Sequence, residues 1–246
     1  MDNKHASLTV KGLSAGYGAI QVLSEVSLDA DSGQTTLLLG TNGNGKSTVI
    51  RCIMGMLPAN RGTITANIDG NEIDLLGLST QEIVELGIVL VPEGRRLFPQ
   101  STVEENLLLG AFPRHARAAR SANLEVCYSI FGRLAERRRQ VVSTMSGGEQ
   151  QMVALGRALM SSPRLLIIDE PSVGLAPILV TRTMETIAKL KASLGLTVLM
   201  AEQSFHQASR IADAGYVLVH GKIELEACTR TALNNSDLIR RLYFGA

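Results

Sequence analysis

The run Gly40-Thr41-Asn42-Gly43-Asn44-Gly45-Lys46-Ser47 limits what this chain can fold into more than any other feature. It follows an apolar stretch, Thr35 to Leu39, and leads into a segment of helical character from Lys46 to Met56. Strand, glycine loop and helix in that order are the requirements of a phosphate-binding loop. Small residues let the backbone wrap closely around phosphate oxygens, with N–H groups pointing inward and a helix N-terminus behind them. Gly40, Asn42, Gly43, Asn44 and Gly45 are therefore expected to form the cradle. Lys46 is expected to neutralise the β and γ phosphates, Ser47 to complete a magnesium shell, and Thr48 to add a contact to the α or β phosphate. The expected ligand is a nucleoside triphosphate with Mg2+, and the expected reaction is hydrolysis of ATP. A glycine-rich turn without function can carry the same letters, but it has no need of the flanking strand and helix.

The rest of the chain reads as α/β. Gly87 to Val91, Leu165 to Asp169 and Thr197 to Ala201 are further candidates for buried parallel strands, each followed by sequence able to hold a helix. Alternation at Leu8 to Leu13 and around Val26 to Ala30 predicts an antiparallel side sheet. Asn106 to Val142 is rich in Ala, Arg, Leu and Glu and reads as a mostly helical insertion. Tyr216 to Ala227 reads as a closing hairpin, and Asp237 to Tyr243 as a short terminal helix.

Two more segments carry chemistry. Leu165-Leu166-Ile167-Ile168-Asp169-Glu170 is a buried strand ending in two acids, and strand ends are where an open α/β sheet meets its ligands. Asp169 fits a magnesium partner, and Glu170 a base that orients and polarises the attacking water. The alternative is a helix N-cap beside Pro171. Met145-Ser146-Gly147-Gly148-Glu149-Gln150-Gln151 opens a helix running to about Met160. Ser146 and the two glycine N–H groups would lie at a positive helix end, a second anion-binding site. A plain capping box between Ser146 and Glu149 accounts for the same letters.

Bulk properties exclude some classes. Twenty-four Lys and Arg against twenty-three Asp and Glu leave a formal charge of +1, without the basic field of a nucleic-acid binder. Cys52, Cys127 and Cys228 are odd in number and widely spaced, so neither a disulfide framework nor a zinc site is expected, and a reducing cytosolic setting is. No stretch approaches the roughly 18 uninterrupted apolar residues of a membrane span. A role at a membrane therefore calls for docking onto another chain. The run Arg133, Arg137, Arg138, Arg139 is expected to be a solvated helix face.

The glycine loop, the Ser146-Gly147-Gly148-Glu149 signature about 100 residues later and the Asp169-Glu170 pair together resemble the ATP-binding subunit of an ABC transporter. Val91-Pro92-Glu93-Gly94-Arg95-Arg96-Leu97-Phe98, Thr102 to Leu107, Ser172-Val173-Gly174-Leu175-Ala176-Pro177 and Ala201-Glu202-Gln203 resemble the LivF-type subgroup of branched-chain amino acid importers. The resemblance covers essentially the whole chain. It implies a P-loop ATPase with an antiparallel side sheet and a helical subdomain in a single ATP-binding domain, 1–246. The RecA-like core would occupy about 1–92 and 160–246, and the helical subdomain about 93–159. It implies transmembrane permease subunits, a second ATPase subunit forming a heterodimer (or a homodimer), and indirectly a periplasmic solute-binding protein, with no nucleic acid. The setting implied is cytoplasmic, on the inner face of a bacterial membrane.

The resemblance also assigns residues. Tyr17 matches an aromatic that stacks on adenine. Glu93 stands where most members have a glutamine that touches magnesium and water, and a glutamate still ligates magnesium but donates no amide hydrogen bond. Gln203 stands where most have a histidine reaching the γ-phosphate, with His206 on a helix facing elsewhere. Ala176 replaces a common interface aspartate. Arg95 and Arg96 would face the permease. Importers of urea or short-chain amides have similar ATPases; soluble ABC ATPases of repair or translation share the motifs, but the former insert a coiled coil and the latter usually carry two cassettes. A P-loop kinase would leave the Ser146 signature without a role.

Overall fold

In a computed structural model, residues 6–227 together with Thr229, Thr231 and Ala232 are described. Cys228 and the expected terminal helix at Asp237 to Tyr243 lie outside them. The chain starts with two long antiparallel strands, β1 (Ala6–Tyr17) and β2 (Ile20–Ala30). Leu8 and Val10 point inward at even positions, then Leu13 and Ala15 at odd ones. A shift in register around Gly12, at φ 58°, reverses the parity and keeps the apolar set in the core.

β3 (Thr35–Leu39) is buried along its whole length and runs into the glycine loop and α1 (Lys46–Ile53). β4 (Arg61–Ile68) and β5 (Asn71–Asp74) then form a hairpin not anticipated from the sequence, turning at Asp69-Gly70 with φ 52° and 87°. β4 pairs with β1, so the side sheet has the order β2-β1-β4-β5. α2 (Thr80–Glu85) leads to β6 (Ile88–Val91).

The helical part consists of α3 (Val103–Leu109), α4 (Arg114–Ala118), α5 (Arg120–Ile130), α6 (Gly132–Glu136), a 3-10 turn and α7 (Gly147–Leu159). It begins earlier than Asn106, because Thr102 and Glu105 form a capping box that starts α3. Asn106 itself is fully buried: its Oδ1 accepts from Phe98 N, and its Nδ2 donates to the carbonyls of Phe98 and Thr102. That side chain fixes the loop between β6 and α3.

β7 (Leu165–Asp169), α8 (Pro177–Leu194), β8 (Thr197–Glu202), α9 (Phe205–Ala208), β9 (Ala214–Val219) and β10 (Lys222–Ala227) complete the described chain. The main sheet has the order β10-β9-β3-β8-β7-β6, parallel except for β10. β7 and β8 are buried at every position, as strands covered on both faces must be.

Gly110, at the end of α3, lies hard against α7: a Cβ built there would stand 1.9 Å from the Arg157 carbonyl oxygen. Helix propensity favours alanine over glycine by at most about 1 kcal/mol. A backbone clash outweighs that, so Gly110→Ala is expected to lower unfolding free energy by about 2 kcal/mol, read from the denaturant midpoint.

Candidate functional site

Four adjacent parallel strands, β3, β8, β7 and β6, end side by side. The residues at or just past those ends are the glycine loop, Gln203, the Asp169-Glu170 pair and Glu93. A cleft of about 320 Å³ is lined by Tyr17, Val22, Asn42, Gly43, Gly45, Lys46, Ser47, Thr48, Glu93 and Glu170. Clefts of about 760 and 670 Å³ lie elsewhere, so size does not select this one. Its selection rests on the convergence of a lysine, carboxylates and a helix start.

That helix start differs from those of α2, α3 and α7. α2, α3 and α7 each open with a complete capping box, Ser79/Glu82, Thr102/Glu105 and Ser146/Glu149. α1 opens on Gly45, at φ 102°, with no side-chain cap and no acid in its first turn. The first N–H groups of α1 thus have no side-chain acceptor and sit at the positive end of the helix, an arrangement that takes an anion.

Lys46 is 3% exposed, and its Nζ donates to Gly40 O at 2.7 Å and Thr41 O at 3.3 Å and pairs with Glu170 Oε1 at 2.9 Å. Ser47 Oγ donates to Asp169 Oδ1 at 3.4 Å. Successive strand residues face opposite ways, yet both acids reach the glycine loop. The left-handed backbone of Glu170, φ 48°, breaks the alternation and brings the second carboxylate to the same side. Burial, above all, pushes the Asp169 carboxyl up to about 6; the charges of Glu170 and Glu93 act the same way, against the Ser47 hydrogen bond and Lys46.

Asn44 has a scaffold contact that its place in the motif did not reveal. Its side chain donates to Thr41 Oγ1 at 2.8 Å and accepts from His220 N at 2.9 Å, and its carbonyl accepts from Gly221 N at 3.2 Å. The β9–β10 turn is thereby fastened to the glycine loop. Tyr17 is 43% exposed at the cleft edge, with its hydroxyl accepting from Arg51.

Ser146 to Glu149 are not among the residues lining this cleft. Glu149 Oε2 accepts from Ser146 N at 3.0 Å and Oγ at 2.8 Å, and the carboxyl is held below its usual range chiefly by the hydroxyl. Arg137 at 3.2 Å and Arg133 at 3.6 Å lie against Glu149 Oε1. Arg133, Arg138 and Arg139 are exposed, as a solvated run should be, but they do not form one helix face: α6 stops at Glu136, and Arg133 and Arg137 also lie against the start of α7.

Gln203 is exposed and lies outside the cleft lining, and His206 is exposed on α9. Arg157 donates to the carbonyls of both Arg95 and Arg96, two residues at positive φ, and Arg95 donates to Gln150. Glu202 was not singled out from the sequence. It is fully buried, accepts from Ser172 N and Oγ, and its carboxyl is pushed above the usual range by burial. The signal available was a charged residue ending an otherwise apolar strand.

A family model described as ABC transporter matches residues 23–173. The high-affinity branched-chain amino acid transport ATP-binding protein BraG of Pseudomonas aeruginosa is 42% identical over 238 residues, 97% of this chain and 99% of that protein. The probable branched-chain amino acid transport ATP-binding protein LivF of Archaeoglobus fulgidus is 33% identical over 227 residues, 92% and 94%. The lipopolysaccharide export system ATP-binding protein LptB of Escherichia coli is 30% identical over 98% of both chains. Among solved structures, an ATP-binding cassette of an ABC transporter in its ADP conformation superposes with a TM-score of 0.84 at 28% identity, covering 98% of this chain and 99% of the other.

A buried carboxyl with a raised folded-state pKa binds its proton more tightly in the folded than in the unfolded chain. Its favourable contribution is complete below the unfolded value near 4 and is lost as pH rises through about 6. Asp169→Asn lacks that loss. Relative to the variant, the parent without nucleotide or metal is expected to lose about 1–2 kcal/mol between pH 4 and pH 7, measured by denaturant titration across pH.

Proposed function

The chain belongs to the ABC transporter family of ATP-binding subunits, and from that membership we propose that it is the ATP-hydrolysing motor of a bacterial importer for branched-chain amino acids. The cassette hydrolyses ATP, as its family does. The reading of the site rests on one observation: Lys46, Ser47, Asp169 and Glu170 converge beside an uncapped helix start. The solute class rests on full-length similarity to BraG.

In this reading the α1 N–H groups and the loop from Gly40 to Gly45 hold the phosphates, and Lys46 turns from Glu170 to the β and γ oxygens. Thr48 adds a contact at the α or β phosphate, and Tyr17 stacks on adenine. A hard-oxygen set of Ser47 and Asp169, with Glu93 in reach, fits Mg2+, since a dication would offset both the burial and, to a lesser degree, the Glu170 and Glu93 charges that raise Asp169. When bound, the ion supplies neutralisation of the phosphate oxygens. Glu170 accepts a hydrogen bond from water and orients its oxygen toward the γ phosphorus; as that oxygen bonds to phosphorus its proton passes to Glu170 and on to the phosphate formed, the bond to the bridging β-phosphate oxygen breaks, and ADP leaves with the electron pair. Gln203 hydrogen-bonds a phosphate oxygen without adding charge.

The site is completed across an interface. Ser146 to Glu149 of a second ATPase subunit meet this chain's nucleotide, and this chain's own signature serves the partner, which explains why its α7 start stands apart from the cleft. We favour a heterodimer on two permease subunits fed by a periplasmic solute-binding protein, with the chain peripheral on the cytoplasmic face. Among the described residues no helix is long and apolar enough to cross a membrane. Exposed Phe98, beside Arg95 and Arg96, supports docking of the permease on that loop. The LptB similarity favours a second reading, service to another solute in an export system, with urea or short-chain amides as further import candidates.

In the assembled transporter Glu170→Gln is expected to lower phosphate release by about 100-fold or more while ATP stays bound. Hydrolysis at the parent rate sinks the assignment of the base. Reconstituted transporter is expected to hydrolyse ATP faster with binding protein loaded with leucine, isoleucine or valine than with urea or an amide. Equal stimulation by all of them removes the solute assignment.

A further inference from the structure

We propose that Glu202 is a positioning residue for hydrolysis, a buried clamp whose backbone holds the glycine loop while its carboxylate holds the segment that carries Glu170. The proposal rests on Glu170 being the base. β8 lies between β3, which delivers the glycine loop, and β7, which delivers Glu170, and Glu202 is the last residue of β8. Its carbonyl accepts from Gly40 N at 3.3 Å. Its Oε1 accepts from Ser172 N at 2.9 Å, and its Oε2 from Ser172 Oγ at 2.8 Å and Gln203 N at 3.1 Å. The neighbouring Ala201 carbonyl accepts from Glu170 N at 2.9 Å.

A carboxylate in that place is a costly choice for the core of a sheet. Glu202 has 0% exposure, and none of the hydrogen bonds to its carboxylate comes from a cationic side chain. Only backbone and hydroxyl donors compensate it, and an uncompensated buried charge is strongly unfavourable. Those donors come from two segments: Ser172 lies two residues after Glu170, and Gln203 and Ser204, whose N–H donates to Oε2 at 3.5 Å, follow the clamp itself. Glu170 holds a left-handed conformation, φ 48°, which persists only if both flanks are fixed. Asp169 and β7 fix one flank; Ser172 on Glu202 fixes the other. The carboxylate also ties the Gln203 loop to the same point, so the two loops around the attacking water move as one.

The division between backbone and side chain gives a distinguishing readout. A side-chain substitution leaves the carbonyl on Gly40 in place, so ATP binding is spared and the chemical step is not. Glu202→Gln is isosteric but places an amide donor against Ser172 or Gln203 N–H. In the assembled transporter it is expected to lower kcat by about 10-fold or more, with ATP KM within about threefold of the parent. Ser172→Ala, at a partly exposed position, is expected to lower kcat by about threefold, and the double variant to be no slower than Glu202→Gln.

A kcat within twofold of the parent for Glu202→Gln overturns the clamp. So does a loss in which kcat falls in step with a lowered Tm and a raised KM, or one that simply multiplies with that of Ser172→Ala. Glu170→Gln run alongside separates the two claims: an active Glu170→Gln sinks the base, whereas an inactive one beside an unimpaired Glu202→Gln sinks the clamp alone.

Discussion

β3, β8, β7 and β6 lie side by side under layers that bury them almost completely, and that burial dictates where polar chemistry can be. Within such strands every side chain faces the core, so a charge is tolerated only where a strand stops. The chain uses those stops for Asp169, Glu170 and Glu202, and the helix start beyond β3 for Lys46, each nine-tenths or more buried and each with partners. The Lys46–Glu170 pair is the clearest case. Two opposite charges at 2.9 Å compensate each other in a place where either alone would be costly by several kcal/mol. The same pair keeps both groups desolvated and close to where phosphate oxygens would arrive.

Much of this was legible because it follows from backbone rules. A positive-φ glycine before a helix, a continuous apolar strand and a Ser-x-x-Glu cap each leave a local pattern, and the elements around the glycine loop, Asp169 and Ser146 appear where those patterns put them. The β4–β5 hairpin is hard to read although Asp69-Gly70 is a strong turn signal, because β5 is only four residues long with no buried position and β4 opens with three exposed residues. Glu202 and Asn106 escaped for another reason. Their roles depend on partners brought together by tertiary structure, Ser172 in one case and Phe98 in the other, and no local spacing announces that.

Arginines 133 and 137 show the limit from the opposite direction. In sequence they look like a charged helix face, and charge patterning gives no hint that the helix ends at Glu136. Once it does, Arg137 reaches Glu149, and one member of an otherwise solvated run becomes a support of the α7 cap. Arg157 makes a comparable use of charge, spending its guanidinium on the carbonyls of two left-handed arginines and so shaping the loop that presents Phe98.

The bond between Asn44 and the His220-Gly221 turn spans 176 positions of the chain. During synthesis the glycine loop leaves the ribosome well before the hairpin that fastens it, which follows 176 positions later. A nascent chain therefore holds the letters of a nucleotide site long before it holds the shape.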